Sequence, residues 1–203
     1  MRRCAWWVLV LGWIVAPSPV AADGLYQRFD GDVMLSAAVG GGVRVDGEPD
    51  PVASLELRAR YLDTAGFVVA ADYFGDLALT FAVDLRPLFL PLFFTNQSTG
   101  SEFVDLLLQS IGIEIGASFL PIGTDGGVGL AIGAGIDVPV VLPSSFANGI
   151  FARLAVRHVR AAGSDPGGPQ ADVSAWSFML LISVQGIVDL GLASREVARF
   201  RPD

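Results

Sequence analysis

The sequence predicts an all-β fold, a single antiparallel up-and-down β-barrel of about eight strands with its apolar face in a bilayer. Three observations predict it. Polar and apolar residues alternate at period two over segments of about nine to fifteen residues. Clusters of Gly, Pro, Asp and Ser separate most segments, as hairpin connections require. Within the segments almost every charge falls on one parity, and the other parity is apolar. The composition agrees: of 203 residues 52% are hydrophobic and 17% charged, against roughly 25% charged in an average soluble domain.

The first element is a leader. Met1-Arg2-Arg3 gives a positive start, Ala5 to Ala16 is uncharged, and Pro17-Ser18-Pro19 precedes the small-residue site Val20-Ala21-Ala22. Residues 1–22 therefore read as a secretory signal peptide and 23–203 as the barrel domain. The apolar run falls short of the roughly 20 residues that a spanning helix needs. Beyond residue 22 there are eleven arginines, no lysine and twenty-one acids, a formal charge of −10, and no cysteine, since Cys4 is the only one. An exported chain without disulfides draws its stability from a core or from lipid.

Strands follow at about 32–45, 52–63, 66–74, 77–90, 108–119, 128–140, 149–161 and 172–188. The second is the clearest: Ala53, Leu55, Leu57, Ala59 and Tyr61 alternate with Ser54, Glu56, Arg58 and Arg60. Turn chemistry lies between strands at Gly47-Glu48-Pro49-Asp50-Pro51, Thr64-Ala65-Gly66, Gly75-Asp76, Thr124-Asp125-Gly126-Gly127 and Ser164-Asp165-Pro166-Gly167-Gly168-Pro169. The connection after the fourth strand differs. Pro91, the polar stretch 95–101 and Glu102-Phe103-Val104-Asp105-Leu106-Leu107 predict a loop and a short helical turn within 95–107, with Ser101 as its cap.

One parity gathers Arg44, Glu56, Arg58, Arg60, Asp72, Asp84, Arg86, Glu114, Asp137, Arg153 and Arg157, six cations and five acids in a strongly acidic chain. Charges so balanced are placed to meet one another. Parity alone leaves two orientations. With the apolar face inside, the chain is a soluble barrel holding a small ligand; with it outside, the ionic set fills the lumen of a membrane barrel. Three features favour the second. Gly112, Gly116, Gly133, Gly135, Ala82 and Ala155 sit beside the charges and suit a crowded lumen. The sixth and eighth strands carry little charge on either face. Phe29, Tyr61, Phe67, Tyr73, Phe119, Phe151 and Trp176 gather near strand ends, where interfacial girdles lie. Val128–Ile150 and Val173–Val188 are long enough to raise the question of membrane helices, but recurrent Gly, Pro139, Pro143 and β-branched residues favour strands.

A cleaved leader, some 180 further residues, eight amphipathic strands and no cysteine resemble the small outer-membrane β-barrel proteins of diderm bacteria. The resemblance implies outer-membrane lipid as surroundings, insertion by the barrel-assembly machinery, a lumen closed by side chains, and a role in envelope integrity, adhesion or minor solute passage of a porin-like kind. The C-terminus departs from the pattern: such chains usually end on an aromatic residue, whereas Phe200 is followed by Arg201-Pro202-Asp203. Either Leu190 to Phe200 completes the closing strand or a polar tail follows it. With both termini periplasmic, the long connection after the fourth strand would be periplasmic too, against the family's habit, so the strand count could be off by one.

Little chemistry remains open. Without lysine there is no Walker-type phosphate loop, Schiff base or pyridoxal site, and the acidic charge argues against nucleic acid. His158, the only histidine, falls on the apolar parity in His158-Val159-Arg160, without the serine two residues away that membrane-embedded lipid A deacylases carry, so it reads as a ring at the headgroup boundary. A His/Cys zinc site lacks ligands. Asp46, Glu48 and Asp50 lack the glycine that a calcium loop wants. Gly40-Gly41-Gly42 and the glycines from Gly123 to Gly135 precede no helix that could cradle phosphate. The expectation is a non-enzymatic outer-membrane barrel without cofactor, of structural or interaction role, whose ionic set either plugs the lumen or lines an ion path. A lipocalin-like periplasmic small-ligand binder and a lipid-modifying barrel enzyme are the alternatives.

Overall fold

Alternating strands that bury one face must find a closed surface to do so, and this chain closes on itself. The computed structural model describes residues 32–88, 102–120, 127–141, 149–161 and 173–191. The strands are β1 (Val33–Val45), β2 (Pro49–Tyr61), β3 (Ala65–Tyr73), β4 (Leu77–Leu85), β5 (Gly112–Leu120), β6 (Gly127–Val141), β7 (Gly149–Ala161) and β8 (Val173–Val188), with one helix, α1 (Glu102–Gln109), between β4 and β5. Each strand pairs antiparallel with its neighbours in sequence, and β8 pairs with β1.

The register sets the shape. From partner to partner, Val33 leads through Tyr61, Ala65, Leu85, Ile113, Ala134, Val156 and Phe178 to Val43, ten positions along β1 from the start. Such a stagger on eight strands goes with a tilt of about 35–45° and an interior just wide enough for side chains to fill. At that tilt a nine-residue strand rises roughly 23 Å, close to the ~25 Å apolar band of outer-membrane barrels.

Parity then decides which residues face out. Leu55, Leu57, Phe81, Val83, Ile113, Ile115, Leu180 and Ile182 are 40% to 55% exposed, while Glu56, Arg60, Asp84 and Arg153 are at most 2% exposed. The inner face is crowded against neighbouring backbone as well: a Cβ at Gly40 or Gly42 would collide with the carbonyls of Leu180 or Phe178 on β8. Those glycines let β1 coil tightly where the barrel closes.

The two ends are built differently. At the end away from Val33 and Val188, β1 joins β2 through residues 46–48 and β3 joins β4 through 74–76, with Gly47 and Gly75 at φ 135° and 100°, where a side chain would be strained. At the other end β3, β4 and β5 have nine residues each, against thirteen to sixteen in the rest. The wall is notched there, and α1 packs against β6 beside it.

Several expectations change. The count of eight strands holds, so the long connection does lie at the end of the termini. The second strand stops at Tyr61 rather than 63, because Leu62 and Asp63 turn the chain with φ 46° and 54°, and β3 begins at Ala65 rather than 66. The fourth stops at Leu85, before Pro87, and the fifth starts at Gly112 because α1 runs on to Gln109. The helix is thus two residues longer than the turn expected to end at 107. The described residues of Val128–Ile150 and Val173–Val188 lie in strands β6, β7 and β8 rather than in helices, and no helix among the described residues is long and apolar enough to cross a membrane. Phe151 is 7% exposed and points inward, since odd positions of β7 face the lumen, so it is no part of an outer girdle. Tyr61, Phe67, Tyr73, Phe119 and Trp176 are 42% to 71% exposed. Pairing of β8 with β1 closes the barrel without Leu190 to Phe200. Residues 1–31, including the expected leader and Phe29, and Ser101 and residues 192–203 lie outside the described residues.

Candidate functional site

The inward parities of β2, β4, β5, β6 and β7 carry long ionic side chains into a space too narrow to keep them apart. All eleven residues that the sequence singles out point inward, none more than 6% exposed. Ten of them join one ion-pair network, and Arg44 stands apart from it.

Arg58 is a hub, with Nη1 3.0 Å from Asp84 and Nη2 2.6 Å from Glu114 and 2.5 Å from Glu56. Arg153 reaches across from β7 and places its two terminal nitrogens 2.7 Å from Glu114 and 2.9 Å from Asp137. Arg157 spans Glu56 and Asp72, 2.7 Å from each, and Asp72 also accepts a hydrogen bond from the Ser54 hydroxyl at 2.6 Å. Arg60 donates from Nε to Asp84 at 2.6 Å, and Arg86 donates to Asp137 at 2.8 Å.

Small residues make the room. A Cβ at Gly112 would stand 2.9 Å from Oδ1 of Asp84, one at Gly133 3.3 Å from Oε2 of Glu114, and one at Gly135 would run into the guanidinium of Arg153. The glycines thus belong to the network as spacers. Burying a lone charge costs several kcal/mol, and planar guanidinium groups offset that cost by pairing with more than one carboxylate.

Parity reading misses one member. Asp63 is 1% exposed and accepts from Arg86 at 2.6 Å, with Arg60 3.6 Å away. Counted along β2 it falls on the outward parity, but the turn of Leu62 and Asp63, closed by the hydrogen bond from Thr64 N to Tyr61 O at 3.0 Å, swings its carboxylate inward. With Asp63 the network has five guanidinium groups and six carboxylates. Asp32 adds a tie at the same end, accepting from the amide of Leu190 at 2.7 Å through its side chain and from that of Leu62 at 2.9 Å through its carbonyl.

Different groups flank the network toward each end. Away from the chain termini, Phe74 folds in from the β3–β4 turn against Ala38, Val52, Ala155, Met179 and Leu181 in one cluster and Ala78, Ala131 and Val159 in another, beside the buried hydroxyls of Thr80 and Ser118, 3.1 Å apart. Arg44 lies 3.9 Å over the Phe74 ring and pairs with the half-exposed Asp46 at 3.3 Å. Toward the termini, the end of α1 brings buried Gln109 and Ser110 to the base of β6, where the Asp137 amide donates to the Ser110 hydroxyl at 3.0 Å.

A second polar group sits outside the barrel, at the rim away from the chain termini. His158 Nε2 lies 3.0 Å from the hydroxyl of Ser174 on β8, and its ring stands 4.5 Å from that of Trp176. Ser174 was not foreseen, because it comes from the next strand rather than from two residues along the same one. Among the described strand residues no carboxylate lies on the outward face to orient the imidazole, the third group that a serine nucleophile and its base require.

An eight-stranded antiparallel barrel, apolar outside and ionic within, has the architecture of the small bacterial outer-membrane β-barrels. Among solved structures it is similar to the N-terminal β-barrel domain of OprF from Pseudomonas aeruginosa, with 10% identity and a TM-score of 0.45 over 76% of this chain and 98% of that one. It is similar also to the outer membrane protein OprG from the same organism, with 14% identity and a TM-score of 0.44 over 78% of this chain and 97% of that one. No family model and no curated protein matches the sequence.

Proposed function

We propose that the chain is a non-enzymatic outer-membrane barrel of structural or interaction role in the bacterial envelope, with a lumen that is plugged rather than conducting. The orientation of the two faces carries the reading: aliphatic side chains half exposed around the whole circumference, and ion pairs at most a few per cent exposed within. A free soluble barrel would bury those aliphatic residues, as a lipocalin-like binder needs for its pocket. What supports the plug is the network itself and the groups that flank it, Phe74 toward one end and the end of α1 toward the other. On this reading outer-membrane lipid surrounds the barrel and the barrel-assembly machinery inserts it.

Planar-bilayer recording tests the plug. The wild type is expected to be silent, and Phe74→Ala with Arg58→Ser to leak; steady channels in the wild type would replace the plug by an ion path through the same residues.

A further inference from the structure

The lipid-facing surface of the strands is apolar except at one place. Of the ionic residues in the described strands, Arg160 alone has the outward parity within the wall, and it lies one residue from the end of β7. Directly opposite it in register is Ser174, and two residues down from each lie His158 and Trp176, themselves a register pair. The chain's only histidine is held between the Ser174 hydroxyl at 3.0 Å and the Trp176 ring, which in turn stacks on Phe178 at 6.4 Å. Below this corner the β8 face is wholly apolar, through Phe178, Leu180, Ile182 and Val184.

We propose that His158, Arg160, Ser174 and Trp176 form a binding site for the phosphorylated headgroup of a lipid in the leaflet at the rim away from the chain termini. The inference rests on the membrane placement proposed above and adds a ligand to it. A guanidinium on a lipid-facing strand costs about 2–4 kcal/mol at the bilayer midplane and about 0–1 near the interface, so the rim is where it belongs. Register sets Arg160 beside Ser174, with His158 two residues down, so guanidinium, imidazole and hydroxyl, the groups whose N–H and O–H a phosphate ester accepts from, share one corner. Trp176 and Phe178 supply a flat apolar wall for the first carbons of the acyl chains, in the manner of interfacial aromatic residues. The hydrogen bond between Ser174 and His158 uses one proton of the pair, and the remaining O–H or N–H donates to the phosphate, so the pair serves here as a donor rather than as nucleophile and base.

Trp176 reports on its own site. The chain's other tryptophans are Trp6, Trp7 and Trp13, so the full chain with W6F, W7F and W13F has one indole, at the rim. In maltoside micelles, dimyristoylphosphatidylglycerol is expected to change Trp176 emission saturably, while dimyristoylglycerol, the same lipid without its phosphoglycerol head, does not. R160Q and H158Q are each expected to weaken the apparent affinity at least ten-fold and leave the heat-modifiable gel shift intact. An equal response to both lipids, or an unchanged affinity in R160Q, overturns the site, and saturation by inorganic phosphate at the same concentration overturns its assignment to a lipid. The chain is also reconstituted into phosphatidylcholine bilayers: failure to enter them overturns the membrane placement, whereas entry without a phosphatidylglycerol preference overturns the headgroup site alone.

Discussion

Arg86 donates from Nη1 to Oδ2 of Asp63 at 2.6 Å, joining the residue after β4 to the turn that follows β2. Both are at most 3% exposed, and removing Arg86 leaves the Asp63 carboxylate buried with Arg60 no nearer than 3.6 Å. Arg86→Ala is expected to cost about 3–5 kcal/mol, read from urea unfolding in detergent micelles. A change below about 1 kcal/mol would mean that the carboxylate is hydrated in solution.

The same turn stores strain. Leu62 has φ 46°, a conformation that costs an ordinary L-residue roughly 1–2 kcal/mol and that asparagine tolerates well. Leu62→Asn should therefore raise stability, by up to about 1 kcal/mol in the same unfolding measurement, while Asp63 keeps its place. A loss of stability would show that the Leu62 side chain matters more than its backbone.

Within the lumen, position in the network decides the cost. Arg58 touches Glu56, Asp84 and Glu114, and Arg58→Ala leaves these three carboxylates facing one another without their shared cation, a loss of about 3–5 kcal/mol. Arg44 covers Phe74 and pairs with a half-exposed partner, so Arg44→Ala is expected to cost only about 0.5–2 kcal/mol. Equal melting temperatures for the two variants would contradict the network.

Depth along the outer wall makes a separate prediction. Leu180 is halfway along β8 and 55% exposed, and Val188 is at its end. Leu180→Arg should cost about 2–4 kcal/mol in a bilayer and Val188→Arg about 0–1, measured by unfolding from lipid vesicles. In water the two should differ little, so the gradient itself reports hydrocarbon.

The fold was legible because each strand buries one face only, and period-two alternation writes that fact into every segment: Glu56, Arg58 and Arg60 announce the inside of β2 without any neighbour being known. What parity cannot see is what leaves the strand. Asp63 counts as outward on β2 and is turned in by two left-handed residues. Phe151 lies near a strand end as girdle residues do, yet its parity, shared with Arg153 and Arg157, places it inside. Ser174 meets His158 across a strand pair, and that meeting depends on register, which one strand's sequence does not carry. The notch beside α1 follows from strand lengths that Pro87 and the helix set together, and the apolar run after the fourth strand hid where the strand ended.

The central claim is that the greasy face meets hydrocarbon and the ionic face is enclosed. Fractionation of cells producing the full chain, followed by carbonate washing and a gel comparing heated with unheated samples, tests it most directly. The account predicts a carbonate-resistant membrane protein whose mobility shifts on heating. A folded barrel recovered in the soluble fraction without detergent would contradict it.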